Sequence, residues 1–240
     1  MPLDGTYSGL QSSIATWLDR DDLDDVIPDF ITLAEARLNE NLRVAAMEST
    51  TALSLVSGGN AVLPSDFLDA RMVLAMPAGT DPTVAQPVLD EATGLPVTDP
   101  DTGLIIANEI SVSGAKVLNL ADPAWAVDQY AYGLQAGNAD VYTIIGPLLA
   151  IYPPRDAVIA LYYYAKIPAL SADNTTNWLL ISRPQIYLYA SLLESAPLLQ
   201  DDQRTQLWKA ALDQAIDDLV KADARRRWSN PTMRLTGPTP

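Results

Sequence analysis

The sequence predicts an α+β fold: a helical bundle formed by N-terminal and C-terminal helices, an inserted and mostly antiparallel β region, and an extended C-terminal tail. Three observations predict it. From about Arg183 the chain reads as a helix that is apolar almost all round, through Ile186, Tyr187, Leu188, Tyr189, Ala190, Leu192 and Leu193. Such a helix has to be covered on several sides. Near the front a helical stripe runs through Ile27, Phe30 and Ile31, Ala34, Leu38 and Leu42. Between these two stretches the period changes to two, as in Ile159, Leu161 and Tyr163 alternating with Tyr162 and Tyr164, which is the spacing of a strand.

In chain order, residues 6–18 read as a helix with Leu10, Ile14, Trp17 and Leu18 on one face. An acidic run, Asp19 to Asp25, separates it from a second helix over about 25–43. Pro28 falls in the first turn of that helix, where its missing N–H costs nothing. Thr50 to Leu63 is rich in Thr, Val and Leu around Ser57-Gly58-Gly59-Asn60, and this predicts a β-hairpin. Ser65 to Leu68 is expected as one helical turn, and Arg71 to Met76 as a strand.

Between Ala78 and Pro154 nine acids face a single lysine, Lys116. Within this region Asp90-Glu91-Ala92-Thr93-Gly94-Leu95 recurs nine residues later as Asp99-Pro100-Asp101-Thr102-Gly103-Leu104. Each copy is a turn in which Asp bonds its own backbone and Gly supplies positive φ. Two such turns predict a protruding β-arm over about 77–118. Asp122-Pro123 reads as an N-cap followed by Pro at the first helical position, opening a helix to about Tyr130. Val141–Ile145, Leu148–Tyr152 and Val158–Ala165 read as strands.

A last, amphipathic helix carries Trp208, Leu212, Ile216 and Leu219. Asp201 and Asp202 stand at its start and Arg225, Arg226 and Arg227 at its end, in the sense that complements the helix dipole. The pattern stops after Trp228. Residues 230–240 hold three prolines and isolated Met233, Arg234 and Leu235, with no periodic face to fold on. The expected division is therefore a bundle of 1–46 with 166–228, a β region of 47–165, and a tail of 229–240.

The 240 residues are 48% hydrophobic, enough for one sizeable core. The net charge of −15 repels phosphate and disfavours a protein that grips DNA. With no histidine and no cysteine, Ser-His-Asp and Cys-His nucleophiles are excluded, and so are His- or Cys-ligated zinc and disulfides. No phosphate-binding Gly-x-x-x-x-Gly-Lys loop occurs, and no cofactor is expected. The N-terminus lacks the blocks of a signal peptide, and no apolar run reaches membrane-spanning length. The expectation is a soluble chain made in a cytoplasm.

What remains is carboxylate chemistry. Asp19, Asp21, Asp22, Asp24 and Asp25 could form a calcium loop, but the glycine and distal glutamate of an EF-hand are missing. Asp99, Asp101, Gly103 and Glu109 resemble a calcium turn only faintly. A glycosidase pair can be drawn from Glu35, Glu40, Glu48 and Glu194, although Glu35 and Glu194 sit in helical stretches with ordinary neighbours. Arg225–Arg227 read as a dipole complement or an interface contact. Tyr162, Tyr163 and Tyr164 read as packing residues and less readily as a stacking platform. Trp228, Met233 and Leu235 are apolar anchors on an extended segment, which can order by docking on a partner. Composition and spacing alone thus reach an α+β assembly domain and stop there.

Particular residues carry a resemblance further. They are Trp17 to Leu23 (WLDRDDL), Ile27 to Ile31 (IPDFI), Leu33 to Arg43 (LAEARLNENLR), Met47-Glu48 and Leu63 to Phe67 (LPSDF). Further on come Ile167 to Leu170 (IPAL), Asn174 to Leu180 (NTTNWLL), Tyr187-Leu188-Tyr189, Leu192 to Pro197 (LLESAP), Asp201-Asp202, Leu207-Trp208 and Ala224 to Ser229 (ARRRWS). In order and spacing this set resembles the head-to-tail adaptor, or connector, proteins of short-tailed bacteriophages. From about Pro77 to Pro147 the match is poor, and nothing is carried over.

The resemblance implies a structural, non-enzymatic virion protein of the neck, assembled in the host cytoplasm. It implies a homo-oligomeric, dodecameric ring between the portal protein and the tail nozzle protein, with fibre or neck proteins as further neighbours. Double-stranded DNA would pass through the lumen without sequence-specific binding, and no membrane is involved. Adaptor C-termini reach the portal, which makes Trp228, Met233, Arg234 and Leu235 the expected docking residues and Arg225, Arg226 and Arg227 a candidate interface. The local acidity makes Asp90, Glu91, Asp99, Asp101 and Glu109 a candidate channel or tail-facing surface. Two alternatives stay open: another tail or nozzle component on a related scaffold, and a virion-borne carboxylate-dependent glycan hydrolase.

Overall fold

The structure, a computed structural model, describes residues 4–20, 22–55, 58–76, 114–130, 140–199 and 202–228. Among them it is a mixed α/β protein with six α-helices and one seven-stranded sheet. In chain order these are α1 (Tyr7–Leu18), α2 (Ile27–Asn41), β1 (Glu48–Leu55), β2 (Asn60–Val62), β3 (Phe67–Ala75), β4 (Lys116–Leu120), α3 (Pro123–Tyr130), β5 (Val141–Ile145), β6 (Leu148–Tyr152), β7 (Ala157–Ala165), α4 (Trp178–Ser182), α5 (Pro184–Leu199) and α6 (Asp202–Trp228). Two compact units result, one of Met1–Ala46 with Ile167–Pro240 and one of Met47–Lys166.

In the first unit α5 is the helix the others cover. Ile186, Tyr187, Leu188, Ala190, Ser191, Leu192, Ser195 and Ala196 are all buried, and α1, α2, α4 and α6 each pack against it. This follows from its sequence, because a helix apolar on every side finds no face that water solvates. α1 opens on Thr6, whose Oγ1 accepts from Gly9 N at 3.1 Å. It closes on Asp19 in the left-handed conformation, φ 54°, which Asp tolerates better than most residues. α2 starts with Pro28 in its first turn and buries Ile27, Phe30, Ile31, Ala34 and Leu38, the stripe the sequence predicts. α6 buries Trp208 and Leu212, while Ile216 and Leu219 are half-buried. α4 was not anticipated from sequence. Its start is held by Asn177, whose Oδ1 accepts from Leu180 N at 2.9 Å.

The second unit is the sheet, in the order β1-β7-β3-β4-β5-β6-β2. All pairs are antiparallel except β4 with β5. The order corrects the expected hairpin at 50–63. β1 pairs with β7 from Glu48↔Tyr164 to Leu55↔Ala157, and β2 pairs with β6. The Gly58-Gly59 turn does reverse the chain, but the Gly59 carbonyl accepts from Ile151 N of β6 at 2.9 Å. A local turn signal says that the chain turns, not which strand each arm meets.

This order also forces curvature. A flat seven-stranded sheet is roughly 29 Å across. Its two edge strands, β1 and β2, are joined by a link that reaches about 19 Å at most. The sheet therefore curls, and its concave side holds Leu55, Val73, Leu118, Leu149, Ile151, Ile159, Leu161 and Tyr163. Ala160, Leu74 and Met76 form a small cluster on the other face, with Tyr162 against it. Each fully buried aliphatic side chain contributes about 1.5–3 kcal/mol. The part-exposed pairs Arg71–Glu48 and Lys116–Asp140 are each worth at most about 1 kcal/mol, so burial holds this unit together.

One further expectation changes. Ser65-Asp66 is a tight turn closed by Phe67 N on Pro64 O at 3.1 Å, not a helical one. Phe67 already belongs to β3 and stacks on Tyr163 at 5.8 Å between ring centroids. β4 overlaps the end of the stretch read as an arm, most of which lies outside the described residues, and has the burial pattern of a strand with one inward residue, Leu118. Its Val117 and Leu120 are exposed, so the period-two signal was absent. α3 forms as expected, with Asp122 Oδ1 accepting from Ala124 N at 2.9 Å and Trp125 N at 3.1 Å.

Candidate functional site

The most organised polar group of the first unit lies where α2, α5 and the segment leading into α4 meet. Glu35 and Asn39 stand one turn apart on α2 and so present both side chains to one side. Asn39 Oδ1 accepts from Ile167 N at 2.8 Å, and Glu35 Oε1 accepts from Leu170 N at 2.8 Å. Tyr187 of α5 donates its hydroxyl to the same Glu35 oxygen at 3.2 Å. Asn177 Nδ2 donates to Tyr187 Oη at 2.6 Å and to the Pro168 carbonyl at 2.8 Å. Every polar atom of Asn177 is thus used, since its Oδ1 caps α4.

Glu35 and Asn177 are each 6% exposed and Tyr187 is fully buried. Burial pushes the Glu35 carboxyl above its ordinary range against the pull of the Leu170 and Tyr187 bonds. Burial, and then the adjacent Glu35 carboxylate, hold the Tyr187 phenol neutral far above its ordinary range. The arrangement is a clamp that pins residues 167–177 to two helices. Its Glu35 Oε1 is held inside the core by two donors, the Leu170 N–H and the Tyr187 hydroxyl.

The motifs of the sequence meet here. LAEARLNENLR supplies Glu35 and Asn39, IPAL supplies Ile167, Pro168 and Leu170, and NTTNWLL supplies Asn177 and Leu180. The reading of Glu35 as a helical carboxylate with ordinary neighbours is corrected. Glu194 is bound to Arg37 at 2.5 Å, Glu48 to Arg71, and Glu40 is exposed. Glu35, Glu194 and Glu48 are each engaged by different groups.

The other residues singled out from sequence lie elsewhere. Arg225 and Arg226 are exposed near the end of α6; Arg227 and Trp228 are in its last turn, with side chains that are not described. Met233, Arg234, Leu235, Asp90, Glu91, Asp99, Asp101 and Glu109 lie outside the described residues. In the acidic loop Asp22 binds Arg20 through two bonds of 2.6 Å. Among the described residues no three acids converge as a metal site, and no helix is long and apolar enough to cross a membrane. Tyr163 faces inward and donates to Asp66 Oδ1 at 3.1 Å, whereas Tyr162 packs on the opposite face, so the three tyrosines form no single platform.

Two surface features were missed. Val62, Leu148 and Ile145 are cross-strand neighbours on β2, β6 and β5 and all are exposed. On the first unit an open cleft of about 520 Å³ lies between α2, α5 and α6, lined by Arg37, Leu193, Glu194, Pro197, Thr205 and Lys209. Neither has a local sequence signature, because both are assembled from separate elements.

No curated protein sequence matches the chain. A family model does, that of the SU10 adaptor protein, over residues 5–235. This span takes in both helical stretches and the whole sheet, and it bears out the resemblance that the motifs carry. The chain belongs to the SU10 adaptor protein family.

Proposed function

We propose that this protein is the head-to-tail adaptor of a short-tailed phage, a ring, dodecameric in our reading, that joins the portal protein above to the tail nozzle protein below and prolongs the DNA channel. The observation that carries this reading is the family match over residues 5–235, which leaves no large part of the chain for another task. The helical unit would be the portal-facing body, a bundle around α5, and the β unit would project toward the tail, where neck or fibre proteins adjoin it. No bond is made or broken in this role.

A ring needs a heterologous contact that closes by rotation. The acidic region containing Asp90, Glu91, Asp99, Asp101 and Glu109 would line the lumen or face the tail. A wall that repels phosphate lets DNA slide, since adhesion grows with each phosphate neutralised. The tail of 229–240, with Met233, Arg234 and Leu235 following Trp228, would dock on the portal, with Arg225–Arg227 beside it. Cryo-electron microscopy of the virion neck tests this. The expected density is one ring of this chain between portal and nozzle; finding the chain only at the distal tail, or as a lone subunit, overturns it.

A further inference from the structure

We propose that the cleft between α2, α5 and α6 is the socket for the acidic α1–α2 loop of a second copy of this chain, entered by Asp24 and Asp25. The proposal rests on the adaptor reading and deepens it by naming the two halves of the copy-to-copy contact.

The argument begins with charge. A chain of net charge −15 repels its copies, and a contact that brings local opposite charges together offsets that repulsion and fixes its register. Five of its fifteen cations are engaged by carboxylates: Arg20 with Asp22, Arg37 with Glu194, Arg71 with Glu48, Lys116 with Asp140 and Lys221 with Asp217. Arg43 and Lys166 bind backbone carbonyls. Lys209 is exposed and, among the described residues, has no carboxylate partner. It lines the cleft beside Arg37.

The cleft also holds a group that lacks its ordinary helical donor. Pro197 lies inside α5 and has no N–H, so the Leu193 carbonyl one turn earlier lacks its ordinary helical donor. Both residues line the cleft. An acidic loop satisfies both groups at once, with a carboxylate for the Lys209 ammonium and a backbone N–H for the Leu193 carbonyl. Asp24 and Asp25 fit this description. Both are exposed, and neither makes a hydrogen bond or ion pair among the described residues.

Position agrees with charge. The loop follows Trp17, which meets Tyr189 of α5 edge-on at 6.0 Å. The cleft begins at Leu193, about 6 Å farther along α5. The loop opens α2 at its N-terminal end, whereas the cleft takes Arg37 from farther along the same helix, about 18 Å on, so one chain presents the two as separate surfaces. A loop and a cleft on separate surfaces of one chain are the two unlike halves of a heterologous contact, the kind that rotation can close into a ring.

The chain contains no cysteine, so an engineered pair reports without background. Full-length chain carrying both Lys209→Cys and Asp24→Cys would be added to portal-bearing heads and oxidised, with each single variant as control. In parallel, Lys209→Glu and Asp24→Lys/Asp25→Lys would be tested separately and combined. Since all three positions are exposed, folding should be unchanged, as checked by circular dichroism. We expect linked multimers only from the double-cysteine chain. We also expect about tenfold or more loss of head-bound copies in each charge reversal, with recovery when the reversals are combined. If the wild-type chain assembles on heads but neither linkage nor recovery occurs, or the linkage is within one chain, the inference falls and the adaptor reading stands. If the wild-type chain never assembles on heads, both fall.

Discussion

The Tyr187 hydroxyl and the Glu35 carboxylate, 152 residues apart in the chain, meet at 3.2 Å in the interior of the helical unit. Their bond joins the central helix to α2, and the Leu170 and Asn177 bonds tie the incoming segment to the same point. A buried carboxylate is costly unless hydrogen-bonded, so the clamp is most sensitive where one of its members is removed.

The first prediction concerns Glu35 and pH. Its native value is raised above the ordinary 4.5, chiefly by burial. In the window between 4.5 and that raised value the folded chain binds a proton that the unfolded chain has lost. The contribution is thus fully present below 4.5 and declines as pH rises through the window. Glu35→Gln keeps an oxygen for Leu170 N and Tyr187 and removes the titration. Urea midpoints measured against pH should diverge between wild type and variant across this window; superimposable profiles would contradict the assignment.

A second prediction targets Asn177. Asn177→Ala strips a cap from α4 and leaves Tyr187 Oη and the Pro168 carbonyl each one donor short. Unsatisfied buried groups cost about 1–3 kcal/mol each. The helical unit should lose roughly 3 kcal/mol, with faster amide exchange at Leu180 and Leu170. Exchange rates like those of wild type would show that the clamp does not hold this segment.

Gly59 provides a third. Its φ is +71°, and an added Cβ would lie 3.0 Å from Pro154 Cα and 3.1 Å from Arg155 N, both backbone atoms that cannot swing aside. Gly146 has φ +58° with nothing within 4 Å. Gly146→Ala should therefore cost about 1 kcal/mol from conformation alone, and Gly59→Ala clearly more. Equal thermal shifts for the two variants would refute the close approach.

The fourth concerns α3. Asp122 Oδ1 accepts from two N–H groups of the first turn. Asp122→Ala should destabilise the β unit by about 1 kcal/mol, while Asp122→Asn or Asp122→Ser should restore most of it. The check is denaturant titration of all three variants.

A fifth follows from the proposed role. Deleting residues 229–240, which lie beyond α6, should leave circular dichroism and thermal stability unchanged while abolishing attachment to portal-bearing heads. Normal decoration by the truncated chain would show that docking lies elsewhere.

Much of the fold was legible because much of it is local. The periodicity of Ile27, Phe30, Ala34 and Leu38, the Asp122-Pro123 start and the alternation through Tyr163 each report on neighbours within a few residues, and α2, α3 and β7 form there. Where the deciding contact is distant, the reading failed. β1 carries a turn signal at its end yet pairs with β7, more than a hundred residues away. β4 exposes Val117 and Leu120, which blurs its period. Of the candidate site, the motifs were visible as strings, but nothing in LAEARLNENLR says that Glu35 faces Leu170.

The sequence by itself determined which stretches become helix or strand, that α5 would be enclosed, and to which family the chain belongs. These properties are set by side-chain period, capping chemistry and the order of motifs. Only the tertiary structure decided the order of strands, the clamp around Glu35 and the cleft at Lys209. Each of these is a meeting of separate elements, and pairing across a long loop depends on how whole surfaces are buried, which short-range spacing does not encode.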